Sequence, residues 1–243
     1  MFSQCYSKTK SEYNVIILAG GAGSRMGDQS DYIPKALTKL GNGRVIDFII
    51  NRFAPICHKF IIGLGYHSDI LQAYIKGSHT TLPIEFSYEN PNNLLNNAYS
   101  TVYCLDKCDS RYKTIVVFCD LLVLHNTEII PNSILLASCS TQGILGTFRH
   151  TVDDKDNLKI KLNTPPVSII DNNYYGVMGQ FVFSDTPLLK KIAYTNYYKL
   201  NDLTDDIVIP YNNELKMTGD ICLKCFEFGT KEDVMKVREL WEN

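Results

Sequence analysis

A wholly apolar run, Val15-Ile16-Ile17-Leu18-Ala19, stops at a loop with glycines at 20, 21, 23 and 27. This junction constrains the fold more than any other stretch. A short run with no polar interruption reads as a strand buried on both faces, as in a parallel sheet. An open α/β sheet that empties such a strand into a glycine-rich loop presents backbone N–H groups beyond its carboxyl edge. Arg25 lies within the loop and Lys35 follows, so the expected ligand is a polyphosphate. The spacing excludes the two commonest phosphate loops. A Walker loop needs Gly-Lys-Ser/Thr at a helix start, whereas Lys35 comes well after Gly23 and directly behind Pro34. A dinucleotide fingerprint would put Met26 where its last glycine belongs, and its acidic ribose ligand could only be Asp47, in a helix-like run.

The full string, L-A-G-G-A-G-S-R-M-G followed by P-K-A-L, resembles the signature of nucleotidyltransferases that join a nucleoside triphosphate to a phosphorylated small molecule. These are the sugar-1-phosphate nucleotidylyltransferases and the cytidylyltransferases acting on phosphocholine and similar phosphates. The resemblance implies a Rossmann-like, GT-A-like fold and a nucleotide site formed by Leu18, Ala19, Gly20, Gly21, Ala22, Gly23, Ser24 and Arg25. Arg25 and Lys35 are the catalytic cations it implies, with Mg2+ as cofactor.

At 243 residues, 45% hydrophobic and 21% charged, the chain has ample material for a single large α/β domain. A net charge of −2 leaves no electrostatic footprint for nucleic acid or an anionic membrane. No apolar stretch approaches the ~20 residues that span a bilayer, and Met1–Tyr13 lacks the apolar centre of a signal peptide. A cytoplasmic chain is expected. Cys104 with Cys108 and Cys222 with Cys225 could be assembled into a zinc site, but the second pair lies in a strand-like run where positions three apart face opposite sides. Buried, reduced thiols are the expectation.

Residues 1–13 read as a polar, flexible leader and 14–243 as one domain. Strands are expected at 14–19, 59–65, 84–88 and 114–119, with helix-like runs at 47–53, 68–76 and 97–106 between them. That alternation predicts a doubly wound, mostly parallel sheet with helices on both faces. Residues 14–130 form the expected nucleotide half and 131–230 a smaller acceptor half. In the latter, strands are expected at 143–149, 158–162, 167–171, 179–184 and 221–228, and helices at 186–194 and 202–209. A terminal amphipathic helix covers 231–241.

Ligands of open α/β sheets sit beyond the carboxyl ends of the strands, so the residue ending each apolar run matters most. Asp120 closes V-V-F-C-D. A carboxylate at the end of a buried run needs a cation or hydrogen bonds to offset desolvation, and Mg2+ bound through one or two carboxylates and substrate phosphates supplies one. A helix N-cap would also explain it. Glu227 alternates with Phe226 and Phe228 on the last strand, and a plain solvent-facing role is its alternative. The resemblance implies metal carboxylates at both Asp120 and the late segment. There the family's Asp falls on Glu227 or Gly229, depending on the subfamily aligned.

The glycine-rich segment that sugar-1-phosphate members carry after the third strand is absent. In its place stands Asn90-Pro91-Asn92-Asn93-Leu94-Leu95-Asn96-Asn97-Ala98-Tyr99-Ser100. An Asn-x-x-Ser opening the next helix resembles the phosphocholine cytidylyltransferase branch and implies CTP, with Asn90, Asn97 and Ser100 near the nucleotide. The plain alternative is a loop and helix cap. Tyr174-Tyr175, Tyr197-Tyr198 and Tyr211 are candidates for the acceptor site through a quaternary-ammonium cage, or packing residues. The expected partners are thus CTP and a phosphorylated small molecule, phosphocholine-like or amino-acid-phosphate-like. A sugar-1-phosphate enzyme and a non-catalytic nucleotide-binding domain are the alternatives.

Overall fold

The computed structural model describes residues 11–23, 33–88, 96–123, 128–138, 150–152, 158, 160–162, 175–222, 225–227 and 229–242. The first part of the chain contains β1 (Tyr13–Leu18), a hairpin of β2 (Lys39–Leu40) and β3 (Gly43–Arg44), α1 (Val45–Phe53), β4 (Cys57–Leu64), α2 (Ser68–Ser78), β5 (Ile84–Tyr88), α3 (Asn97–Leu105) and β6 (Lys113–Phe118). The remainder contains β7 (Leu121–Val123), β8 (Ser133–Ser138), β9 (His150–Val152), β10 (Ile160–Leu162), β11 (Tyr175–Phe183), α4 (Thr186–Thr195) and a π-helical turn at Thr204–Val208. After these come α5 (Ile209–Glu214), β12 (Thr218–Cys222), β13 (Cys225–Glu227) and α6 (Lys231–Glu242). The strands expected at 143–149 and 167–171 lie outside the described residues.

The unbroken apolar run of β1 has a direct cause. Val15 and Ile17 point to one face and Ile16 and Leu18 to the other, and each face is roofed by helices. On the first face α1 contributes Ile46, Ile49, Ile50 and Phe53, α2 Leu71 and Ile75, and α6 Val234 and Val237. On the second, α3 contributes Ala98, Val102 and Leu105, α4 Leu189, Ile192 and Ala193, and α5 Tyr211. The sheet is therefore doubly wound, as the alternation of strands and helices required.

Strands β5, β4, β1 and β6 lie side by side and parallel. Beyond β6 the sheet becomes mixed, because β11 joins antiparallel to β6, and β8 and β12 follow on its other side. The single strand expected over 221–228 divides. Its first part belongs to β12 in the main sheet, and its second, β13, pairs with β7 in a separate ribbon. Cys222 and Cys225 both pack on the first core face although three apart; one regular strand would turn them to opposite faces, and the division between β12 and β13 brings them to the same one. Among the described residues no helix is long and apolar enough to cross a membrane.

Candidate active site

From β1 the chain moves to β4 and β5 on one side, then returns to place β6 on the other. β1 and β6 thus flank a topological switch point, where open α/β sheets leave a crevice at their carboxyl ends. The ends are fastened together: Cys119 N–H donates to Leu18 O at 3.1 Å, and Ala19 N–H to Gly63 O at 2.9 Å. One residue further, Tyr66 N–H donates to Gly20 O at 3.0 Å, which pins the start of the glycine loop. The approach is so close that a Cβ on Gly65 would fall 2.5 Å from Gly20 O. Gly23 adopts φ 65°, a conformation that glycine takes without strain. A Cβ on Gly21 would meet nothing within 4 Å, so this backbone borders open space. Leu18, Ala19 and Gly20 are buried supports, while Gly21 and Ala22 are exposed. Ser24 and Arg25 lie outside the described residues.

Lys35 is delivered by local chemistry. Pro34, at φ −53°, starts a single 3-10 turn over Lys35–Leu37, and Ala36 and Leu37 are buried and anchor it to the core. Thr38 Oγ1 donates to Lys35 O at 2.7 Å and Arg44 Nη1 to Leu37 O at 2.6 Å, closing the turn from both sides. The ammonium then reaches Asp120 Oδ2 at 2.5 Å, with side chains 11% and 22% exposed. A catalytic-cation candidate and a metal-carboxylate candidate are thereby brought into contact at the tip of β6. Cys119, between the core and Asp120, has its thiol pushed up to about 12, first by burial and then by the Asp120 carboxylate. It stays a neutral packing residue.

Glu227 is carried to the same place by a route the sequence does not display. β7 begins immediately after Asp120, and β13 pairs with it so that Glu227 stands opposite Leu121. Its Oε1 accepts a hydrogen bond from Gly179 N–H at 3.2 Å. Gly179 lies against Phe118 at the end of β6, and a Cβ there would approach the Phe118 ring to 2.6 Å. Only glycine lets β11 come near enough for that bond.

The other candidates are arranged differently. Asn97 and Ser100 open α3 on the carboxyl side of the sheet, but both side chains have partners within the chain. Asn97 Nδ2 donates to Asp202 Oδ2 at 3.2 Å, and its Oδ1 accepts from Leu203 N–H at 2.8 Å. Ser100 Oγ donates to Asn96 O at 2.9 Å. Asn96 caps α3, accepting from Tyr99 N–H at 2.9 Å. Asn90 and Tyr174 lie outside the described residues. Tyr175 starts β11 and packs on the second core face. Tyr211 is fully buried and accepts from Asp185 N–H at 2.9 Å, so it is a core residue and not part of a cage. Tyr197 and Tyr198 line a separate hollow with Tyr103, Tyr194 and Asp106.

Residues 15–130 match the model of the MobA-like NTP transferase domain. The fold is also that of several solved structures. A CTP:phosphocholine cytidylyltransferase of Streptococcus pneumoniae aligns over 94% of this chain and 99% of its own, with 14% identity and a TM-score of 0.70. An inositol-1-phosphate CTP transferase of T. maritima aligns over 96% of both chains, with 17% identity and a TM-score of 0.68. A UDP-glucose pyrophosphorylase aligns over 95% and 98%, with 12% identity and a TM-score of 0.72. No curated protein matches in sequence. With its glycine loop and the Lys35–Asp120 pair at the switch point of this sheet, the chain shares the fold of these nucleotidyltransferases, and residues 15–130 are similar to the MobA-like NTP transferase domain.

Proposed function

We propose that the protein is a Mg2+-dependent cytidylyltransferase that joins CTP to a small non-sugar phosphate and releases pyrophosphate. The observation that carries the reading is the 2.5 Å contact of Lys35 with Asp120 at the mouth of the glycine loop. It supports a site that gathers a cation and a carboxylate around one phosphate. The choice of CTP rests on the resemblance of the Asn97–Ser100 segment to the phosphocholine branch.

Asp120, directly before β7, and Glu227, on the strand paired with it, are the residues that would hold Mg2+, and their hard carboxylate oxygens suit that ion. When bound, it offsets charge developing on the α-phosphate. The backbone N–H groups of Gly21–Gly23, with Ser24 and Arg25, hold the β- and γ-phosphates. Lys35 steadies a non-bridging oxygen of the α-phosphate. An oxygen of the acceptor phosphate attacks the α-phosphorus in line, the bond to the β-phosphate oxygen breaks, and pyrophosphate departs with the electron pair. No proton transfer is needed, so positioning and charge dominate the rate. Residues 14–130 serve the triphosphate and 131–230, with Tyr174 and Tyr175, the acceptor. A cytoplasmic setting suits the buried free thiols.

Pyrophosphate release measured over a panel of four nucleoside triphosphates and several small phosphates tests the reading. CTP with a phosphocholine-like or amino-acid phosphate should turn over fastest. A preference for UTP or dTTP with a sugar 1-phosphate would replace it by the sugar-nucleotide reading. No turnover with any pair would leave a nucleotide-binding domain.

A further inference from the structure

We propose that His150, Asp202 and Asp205 form a second divalent-cation site, built for a transition-metal ion and separate from the Asp120 carboxylate. Strand pairing explains how the three meet. β11 has β8 along one flank; on the other, β6 takes residues 180–183 and β9 takes 175 and 176. Because β11 runs antiparallel to β6, β9 stands beyond the carboxyl end of β6, on the ligand side of the sheet. His150, the first residue of β9, therefore projects where the amino end of α3 and the 202–206 segment converge.

The donor set is compact. His150 Nε2 is 2.9 Å from Asp205 Oδ1 and 3.9 Å from Asp202 Oδ1, and the three donor atoms all lie within 4.8 Å of one another. Around one cation with bonds of about 2.0–2.2 Å, neighbouring donors stand about 3.0–3.5 Å apart, a value these distances bracket. Asp202 and Asp205 share a face through their i, i+3 spacing at the entry to the π-helical turn, a feature frequent at functional sites.

The surroundings orient the ligands as a metal site requires. Asp202 Oδ2 takes Asn97 Nδ2, while Oδ1 takes Thr204 N–H at 2.9 Å and Asp205 N–H at 3.4 Å. Asn97 is fixed in turn by Leu203 N–H. The His150 and Asp202 side chains are only 6% and 3% exposed, whereas Asp205 is 30% exposed and leaves one side open to solvent. Two carboxylates against one imidazole retain net negative charge even when the ring is protonated. In so sealed a place a divalent cation offsets that charge best. The imidazole donor disfavours Mg2+ and Ca2+, which prefer oxygen, and favours Zn2+ or Co2+. A cation here would clip β9 to the 202–205 segment, which Asn97 ties to the start of α3, and so stiffen the acceptor side. The assignment does not depend on which nucleotide the enzyme uses.

Titration of the metal-free full chain with Co2+ tests it, read by the visible absorption of nitrogen-ligated cobalt. One equivalent should bind in wild type and equally in Asp120→Ala. His150→Gln and Asp205→Asn should each weaken binding at least tenfold, and Mg2+ should not displace the bound Co2+. Equal binding in His150→Gln, or loss in Asp120→Ala alone, would overturn the site. Should His150→Gln misfold, Asp205→Asn decides at its half-open position, together with a rise in wild-type Tm on adding Co2+; an unchanged Tm overturns it.

Discussion

The Lys35 ammonium sits 2.5 Å from the Asp120 carboxylate although 85 residues separate them in the chain. Both side chains are largely buried, and each is the principal compensation for the other's loss of water. Removing one partner leaves an uncompensated charge in a poorly hydrated place, whereas removing both leaves none.

Stability should follow that asymmetry. Asp120→Ala is expected to cost about 1–3 kcal/mol in urea denaturation, with part recovered in the Lys35→Ala/Asp120→Ala double variant. Each single variant should also lower kcat at least about 10²-fold, the scale of a lost charge contact in a transition state. An Asp120→Ala protein with wild-type turnover would refute its role in the site.

Gly65 and Gly21 should respond oppositely to a methyl group. Gly65→Ala drives a Cβ into the Gly20 backbone, which cannot swing aside, and should cost about 1–3 kcal/mol while disordering the loop. Gly21→Ala has open space and should leave Tm within about 1 °C, consistent with a shift well under ~0.5 kcal/mol. Its effect should appear instead as a raised KM for the nucleotide, measured by initial rates.

Three of the described thiols should be silent across the working pH range. Burial raises Cys57, Cys108 and Cys119 from the ordinary 9.0 to about 12. At pH 8 about one in 10⁴ of each would be thiolate, so native labelling of these three by an aromatic disulfide, read by peptide mass, should remain slow up to pH 9. Fast labelling of Cys119 in the folded protein would contradict the packing described.

Asp220 offers a pH test with a definite sign. Burial raises its pKa above 3.8, and Arg52 offsets only part of that. A carboxyl raised on folding is favourable when protonated, at pH below the unfolded value, and this advantage is lost as pH rises through the folded value. Asp220→Asn should therefore raise Tm at pH 7, with the gain shrinking as pH falls towards 4. A lower Tm at pH 7 would show that Arg52 needs the negative charge.

What could be read from the sequence, and what could not, divides by range. β1, its glycine loop and Asp120 were legible because a strand buried on both faces admits only apolar residues, and a polar residue ending the run marks the edge. The Lys35–Asp120 contact was not, since it needs both the Pro34 turn and the placement of β6 beside β1. β7 and β13 have three residues each, too few for a period to register. The hydrogen bond of Asn97 to Asp202 could not be read either, since its partner lies 105 residues away. The Asp202-x-x-Asp205 spacing was the one local sign of the second cluster. Tyr211 resembled any other tyrosine until its helix was seen to face the core.

The pairing of β13 with β7 has a consequence for how the molecule is made. Asp120 and its lysine partner are in hand once β6 has left the ribosome. Glu227 is not, because β13 follows Asp120 only after β8, β9, β10, β11 and β12. A nascent chain therefore carries the Lys35–Asp120 pair long before it carries Glu227, so the two candidate carboxylates arrive at different moments of translation.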